Sequence, residues 1–294
     1  MSTVFDRFED DTAVPRGSAG KDGEMRLVFD VDGDGRSFVA EDYARVPFHV
    51  GRGMYSDPVH DDVVFVYVQD PTGAAVQGDE RTAEVVARDG ATAHVTTGSA
   101  QKVHTMETSY ASDETTLRVG EDAYVEYVPD ATILHDGARY ASMTDVRVEE
   151  GGAAVVSEVV VAGRLAHGET FGFDAYRSRV TASDEDGLLF DDTTEVVNVD
   201  HERTALFDGN SVFGDLYVVA PDAETDALRD ATAEALPADG VEGATAGATV
   251  LPNDAGVVTR FVAEDLRSAR ETKRTVWDAA RRHLLNAPVP PRRR

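Results

Sequence analysis

From position 25 onward the chain alternates short runs of Val, Tyr, Phe and Thr with breaks rich in Gly and Asp, a spacing that suits β-strands. Strands are predicted over residues 25–31, 63–69, 91–97, 123–128, 153–162 and 171–181. The breaks Asp32-Gly33-Asp34-Gly35, Arg88-Asp89-Gly90, Glu149-Glu150-Gly151-Gly152 and Asp184-Glu185-Asp186-Gly187 supply residues that accept positive φ or cap their own backbone. Most connections therefore read as hairpins or tight bends. Because no ten-residue helical patterns separate these strands, parallel βαβ units are not expected. The chain reads as mainly β, either a many-stranded antiparallel sandwich or a coiled, β-helical stack of strands.

Helical periodicity enters late. Residues 223–236 are Ala-rich and stopped by Pro237, and a second helix is predicted over 264–285. In the second, Leu266, Ala269, Val276, Trp277, Ala280 and Leu284 share one stripe, with Arg267, Arg270, Arg274, Arg281 and Arg282 off it. This helix is basic on an acidic chain. It reads as an amphipathic helix packed on the sheet, and those five arginines with Trp277 and the tail Arg292, Arg293 and Arg294 form a candidate partner-docking element. No repeat of fixed period stands out, and residues 239–248 read as a flexible Gly/Ala-rich loop. The organisation expected is one domain over 24–290, an aperiodic segment 1–23 expected to be disordered, and a basic tail at 291–294.

Composition narrows the function classes. The 294 residues carry 41% hydrophobic side chains, enough for a sizeable core, and no cysteine, which removes disulfides, thiolate catalysis and cysteine-ligated metals. Any transition-metal ligands must be His or carboxylate. Asp and Glu number 55 against 28 Lys and Arg, a formal charge of -27 that argues against nucleic-acid and anionic-membrane partners. Lysine occurs only at Lys21, Lys102 and Lys273, a bias that suggests a salt-loving host. In molar salt the Debye length falls to about 3 Å, so self-repulsion of such a surface is screened. Residues 1–23 hold no secretory h-region and no eighteen consecutive apolar residues occur, so a cytoplasmic protein is expected.

Asp30, Asp32, Asp34, Gly35 and Glu41 fit the calcium-loop pattern D-x-D-x-D-G-x5-E, but the flanks alternate like strands where helices are required, so an acidic β-hairpin is expected. The phosphate-loop, G-x-S-x-G and H-E-x-x-H templates are absent, and Ser211 in Gly209-Asn210-Ser211-Val212-Phe213-Gly214 reads as a turn residue. No catalytic residue is assigned. The eight histidines never occur at i, i+2 or i, i+4, so no preassembled metal site is visible. What remains are His135 beside Asp136, His167 near Glu169, and Asp200-His201-Glu202, each a solvated group or a weak transition-metal ligand. A different class, a carbohydrate-active β-sandwich using Asp136 and Glu169 as paired carboxylates, stays open, as does a plain structural binding module. The chain is short of the aromatic platforms that sugars stack on.

Six segments, in order, resemble the UreD (also called UreH) urease accessory family. Arg52-Gly53-Met54-Tyr55 resembles its R-x-x-Y strand end, and the stretch from Val66-Tyr67-Val68 through Pro71-Thr72-Gly73-Ala74 to Gly78-Asp79 its strand followed by P-x-G-G-x-x-x-G-D. Thr96-Thr97-Gly98-Ser99-Ala100-Gln101-Lys102-Val103 is similar to T-T-x-x-A-x-K-V, and the stretch from Tyr127-Val128-Pro129 through Thr132-Ile133 to Ala138 to W-x-P-x-x-T-I-x-F-x-x-A. The last two run from Gly163-Arg164-Leu165 to Phe171 and from Val212-Phe213-Gly214 to Tyr217. Ala74, Gln77, Tyr127 and His135 depart from the family's usual residues. The resemblance spans residues 25–285. It implies an open, coiled β fold with two helices and a non-catalytic chaperone. With an all-α accessory partner and a nickel-binding GTPase, that chaperone would activate apo-urease by nickel insertion, with no tightly bound cofactor and only transient nickel. Within the family-like segments, Asp79, Asp136 and Glu169 each lie next to or near glycine, and with His135 and His167 they are the candidate ligands of a nickel conduit.

Overall fold

The computed structural model describes residues 20–197, 205–237 and 241–290. The expectations for 1–19, for Asp200-His201-Glu202 and for the tail 291–294 lie outside these residues. β1 (Asp22–Val31) and β2 (Ser37–Arg45) form an antiparallel hairpin, followed by a short β3 (His49–Val50). The chain then coils. Its first turn is β4 (Val64–Gln69), β5 (Ala74–Ala75) and β6 (Glu80–Ala87); the second is β7 (Thr92–Thr97), β8 (Gln101–Val103) and β9 (Ala111–Val119). The third is β10 (Tyr124–Tyr127), β11 (Thr132–Leu134) and β12 (Arg139–Val148); the fourth is β13 (Ala153–Val161) and β14 (Ala175–Ser183). After β15 (Leu188–Val197) come β16 (Val212–Val219), α1 (Thr225–Ala235), β17 (Ala244–Val250), β18 (Gly256–Ala263) and α2 (Leu266–Leu285).

Two sheets face each other. One runs β15-β14-β12-β9-β6-β1-β2; the other runs β17-β18-β16-β13-β10-β7-β4-β3, with β5, β8 and β11 extending it. Within the coil the pairs are parallel, and the hairpins at both ends are antiparallel. The coiled alternative is therefore the one the chain adopts. Asp32 to Gly35 and Asp184 to Gly187 do turn hairpins, but Arg88 to Gly90 and Glu149 to Gly152 are corners that carry the chain from one sheet to the other. Turn chemistry reads the same in both settings. The 239–248 stretch also differs from a loop, because from Ala244 its backbone pairs along β18.

The coil is held in register. Gly90 donates to the Glu121 carbonyl and Asp122 to that of Glu150, both from backbone N–H. The matching residues Gly90, Asp122 and Gly151 all take the left-handed conformation, at φ of 71°, 53° and 70°. Glycine does this without steric cost and Asp tolerates it. Inside, Leu27, Val85, Leu117, Val125, Val146 and Val219 form an apolar cluster beside this corner. A second cluster, including Leu134, Val160, Tyr176 and Phe213, fills the far side.

α2 covers the outward face of β13, β16 and β18 with Ala269, Val276 and Ala280, beginning at Asp265, whose carboxylate accepts from the Ser268 N–H at 2.8 Å. It is also locked by charge. Glu126, pointing outward from β10, accepts from His94 Nδ1 (2.7 Å), Tyr124 Oη (2.9 Å), Trp277 Nε1 (2.9 Å) and Arg281 Nη1 (2.9 Å). Arg281 also reaches Asp57. The docking expectation therefore fails for Arg281, which is 0% exposed and lies on the buried stripe rather than off it. A guanidinium can occupy an apolar stripe when two carboxylates meet it. Arg281→Met should strand Asp57 and Glu126 in the interior and cost about 3–5 kcal/mol in urea unfolding. A loss below about 1 kcal/mol would show that this network does not hold the helix.

Candidate functional site: a polar belt between the sheets

Alternate residues of each strand face inward, and at one level that inward residue is polar on strand after strand. β6 contributes Arg81, β9 Asp113, β12 Ser142 and β14 Ser178, which the parallel register sets side by side. On the facing sheet Glu158, Asp215 and Arg260 are successive cross-strand partners on β13, β16 and β18. The apolar clusters lie on either side of this level. A cavity of about 120 Å3 opens along the belt, lined by Asp70, Arg81, Asp113, Tyr127, Tyr140 and Glu158 among others.

The side chains form a chain of contacts. Arg81 reaches Asp113 through two nitrogens, Nε at 2.7 Å, and approaches Asp70 at 3.4 Å. Tyr140 Oη donates to Asp113 at 2.7 Å, and Ser178 Oγ donates to Glu158 at 2.6 Å. At the other end Arg260 approaches Asp215 at 3.3 Å and bonds Asp192, which also accepts from Tyr217 Oη at 2.9 Å. Arg260 is 52% exposed, so this end meets solvent. Imidazole and carboxylate oxygen both suit nickel, and the belt offers the oxygen half.

The residues chosen from sequence fall elsewhere. Asp79 is buried as a cap: it accepts from the Lys21 N–H (2.7 Å), Lys21 Nζ (3.2 Å) and the Val76 N–H (3.0 Å), which commits its oxygens locally. Glu169 is engaged at both oxygens by Arg164, whose hydrogen bonds, and then its charge, hold it below the usual carboxylate range. Asp136 and His167 are exposed, and half-buried His135 has its pKa lowered by burial and by nearby His104 and Arg164. Among the described residues no three His or carboxylates are grouped to hold a metal. On α2, Arg270 bonds Asp130, Arg274 donates to the Val289 and Pro290 carbonyls, and Trp277 is spent on Glu126. Arg267 and Arg282 are exposed, Arg282 beside Asp278. The acidic hairpin is likewise internally satisfied: Asp32 accepts from the Asp34 and Arg36 N–H groups, and Asp30 pairs with Arg88. Asp113, Glu158 and Asp215 carry no local motif. Their signal is a polar residue at an inward position of an otherwise apolar alternation.

Burial works against charge along the belt. It raises the Glu158 carboxyl against hydrogen bonds from Ser178, Tyr176 and Ser142. It pushes Asp215 up to about 7, against the pull of Arg260 and with repulsion from Glu158 and Asp192 added. An unfolded Asp ionises near 3.8, so the folded chain holds this proton more tightly. The resulting stability is complete below the unfolded value and is lost as pH rises through about 7. Thermal unfolding should therefore show the wild type losing its advantage over Asp215→Asn as pH rises from about 4 to 8. A difference that stays flat across that window would remove the buried carboxyl from the account.

The model of the UreD urease accessory protein family matches residues 21–294. A urease accessory protein UreD of Haloarcula marismortui is 44% identical over 95% of this chain and 93% of its own length. That of Natronomonas pharaonis is 36% identical over the full length of both, and that of Yersinia pseudotuberculosis 32% identical over 97% of this chain and 89% of its own. Coverage of this extent, on a coiled two-sheet fold with two late helices, shows that the chain belongs to the UreD family of urease accessory proteins.

Proposed function

We propose that this chain is a non-catalytic scaffold of urease maturation that passes nickel to apo-urease along the interior belt. The observation carrying this reading is the line of inward carboxylates Asp113, Glu158 and Asp215 between two apolar clusters, reaching from Asp70 at one end to Asp192 at the other. An ion in transit needs ligands it can leave. Single carboxylates and hydroxyls spaced along a strand-to-strand path meet that need, whereas a closed tetrahedral site would retain the metal. The catalytic work of GTP hydrolysis falls to a nickel-binding GTPase, and an all-α accessory partner completes the complex. The cytoplasm is the compartment where this activation takes place. No helix among the described residues is long and apolar enough to cross a membrane.

α2 is the docking element for the all-α partner, through the outward-facing Arg267 and Arg282 rather than the buried Arg281. Arg267→Glu with Arg282→Glu should weaken co-purification with that partner while leaving urea unfolding within about 0.5 kcal/mol of wild type. Unchanged co-purification would move the docking surface elsewhere. The belt is tested by Glu158→Gln with Asp215→Asn, complementing a deletion of the gene in its host. Urease activity and urease-bound nickel should fall together, roughly tenfold or more, with urease subunits and the accessory complex present in wild-type amounts. Full activation by the double variant would overturn the conduit.

A further inference from the structure

His104 follows β8 and His135 follows β11. Leu134 pairs with Val103 in parallel register, the His135 N–H donates to the Val103 carbonyl at 2.9 Å, and the His104 N–H donates to that of Ala75 at 3.0 Å. The two histidines thus occupy the same place on consecutive turns of the coil, although 31 residues separate them in sequence. Their ring centroids are 4.7 Å apart with planes inclined by 49°. Two imidazoles bound cis to one ion, each through a bond of about 2.1 Å, place their ring centres roughly 4.6 Å apart. The observed centroid spacing is close to that value. His104 is exposed and His135 half-buried, so the pair is open to solvent.

The surroundings set the strength of such a site. Glu169 is engaged by Arg164, and no third His or carboxylate among the described residues is grouped with the pair as a ligand. Water would complete the coordination of an ion held there. Two protein ligands give selection through imidazole's preference for late first-row metals, and the remaining waters give a route for exchange.

We propose that His104 and His135 form a two-imidazole docking site for a hydrated divalent nickel ion on the outer rim of the coil. The site deepens the conduit reading and rests on it for the identity of the ion, while the paired geometry stands by itself. Here the ion exchanges two waters for two imidazoles, without change of oxidation state, and leaves by the reverse exchange. The neighbouring His167 is not needed.

Calorimetric titration of the full chain with nickel chloride, in molar potassium chloride to screen the acidic surface, reads the site directly. One equivalent should bind, and His104→Gln and His135→Gln should each weaken it by about 100-fold, the loss expected when two linked contacts become one. His49→Gln, a histidine on β3, should leave the titration unchanged. On the unaltered chain, nickel should protect His104 and His135 together from carbethoxylation, which reads the same contact without any substitution. Retained affinity in either single variant, or modification of the two rings at the same rate with and without nickel, would overturn the pair as a site. The belt is judged separately by urease activation with Glu158→Gln and Asp215→Asn, so a failed rim site leaves that result standing.

Discussion

The in-register stacking of one coil turn on the next is the constraint from which the other features of this protein follow. Parallel pairing sets Arg81 beside Asp113 and Asp113 beside Ser142, so a polar side chain at one inward position is met by the same level of its neighbours. A single buried charge between two sheets would be prohibitively expensive, since isolated ions in a low-dielectric interior lose several kcal/mol of hydration. Stacked at one level, both cations find carboxylates on two sides: Arg81 between Asp70 and Asp113, Arg260 between Asp215 and Asp192. The same stacking aligns the left-handed corner residues Gly90, Asp122 and Gly151, and brings His104 to His135.

Much of this architecture is legible in the sequence, and what is hidden has a common cause. Strand existence and the two helices follow from β-branched runs and from the 3.6-residue stripe, and the expected helices 223–236 and 264–285 frame the observed α1 and α2 closely. Partners one coil turn apart do not. Val64 pairs with Ala93, Thr92 with Tyr124, and Arg139 with Ala175, intervals of 29, 32 and 36 residues whose variation masks the repeat. Histidines at i, i+2 or i, i+4 meet within one strand or helix, whereas His104 and His135 meet between turns.

The site residues chosen from sequence lie away from the belt for a physical reason. Asp79, Asp136 and Glu169 attract notice because glycines lie near them, yet glycine marks turns, and a carboxylate at a turn is usually engaged by nearby backbone or a nearby cation. Asp79 and Glu169 behave in that manner, one on Val76 and Lys21, the other on Arg164. Arg281 misled for the opposite reason. Hydrophobic periodicity places an arginine outside, and only the presence of Asp57 and Glu126 from distant segments makes the inside tolerable.

Two kinds of carboxylate stand back to back in the second sheet, and they differ in how fully their oxygens are bonded. Glu126, on the outward face of β10, receives four donors; burial raises its pKa, but His94, Arg281 and Trp277 outweigh that and hold it below the usual range. Its lone pairs are committed, which makes the helix attachment rigid and leaves no capacity for a cation. Glu158 and Asp215, on the inward faces of β13 and β16, have fewer strong partners and raised values, so a passing cation would find oxygens whose charge is poorly compensated. A divalent ion beside them would favour their ionised forms and release protons as it arrived. The cost of keeping these groups poorly satisfied is carried by the apolar clusters on either side and by the fully bonded network outside. On the proposed reading, a wall that is rigid on its outer face can then hold an inner face that stays receptive.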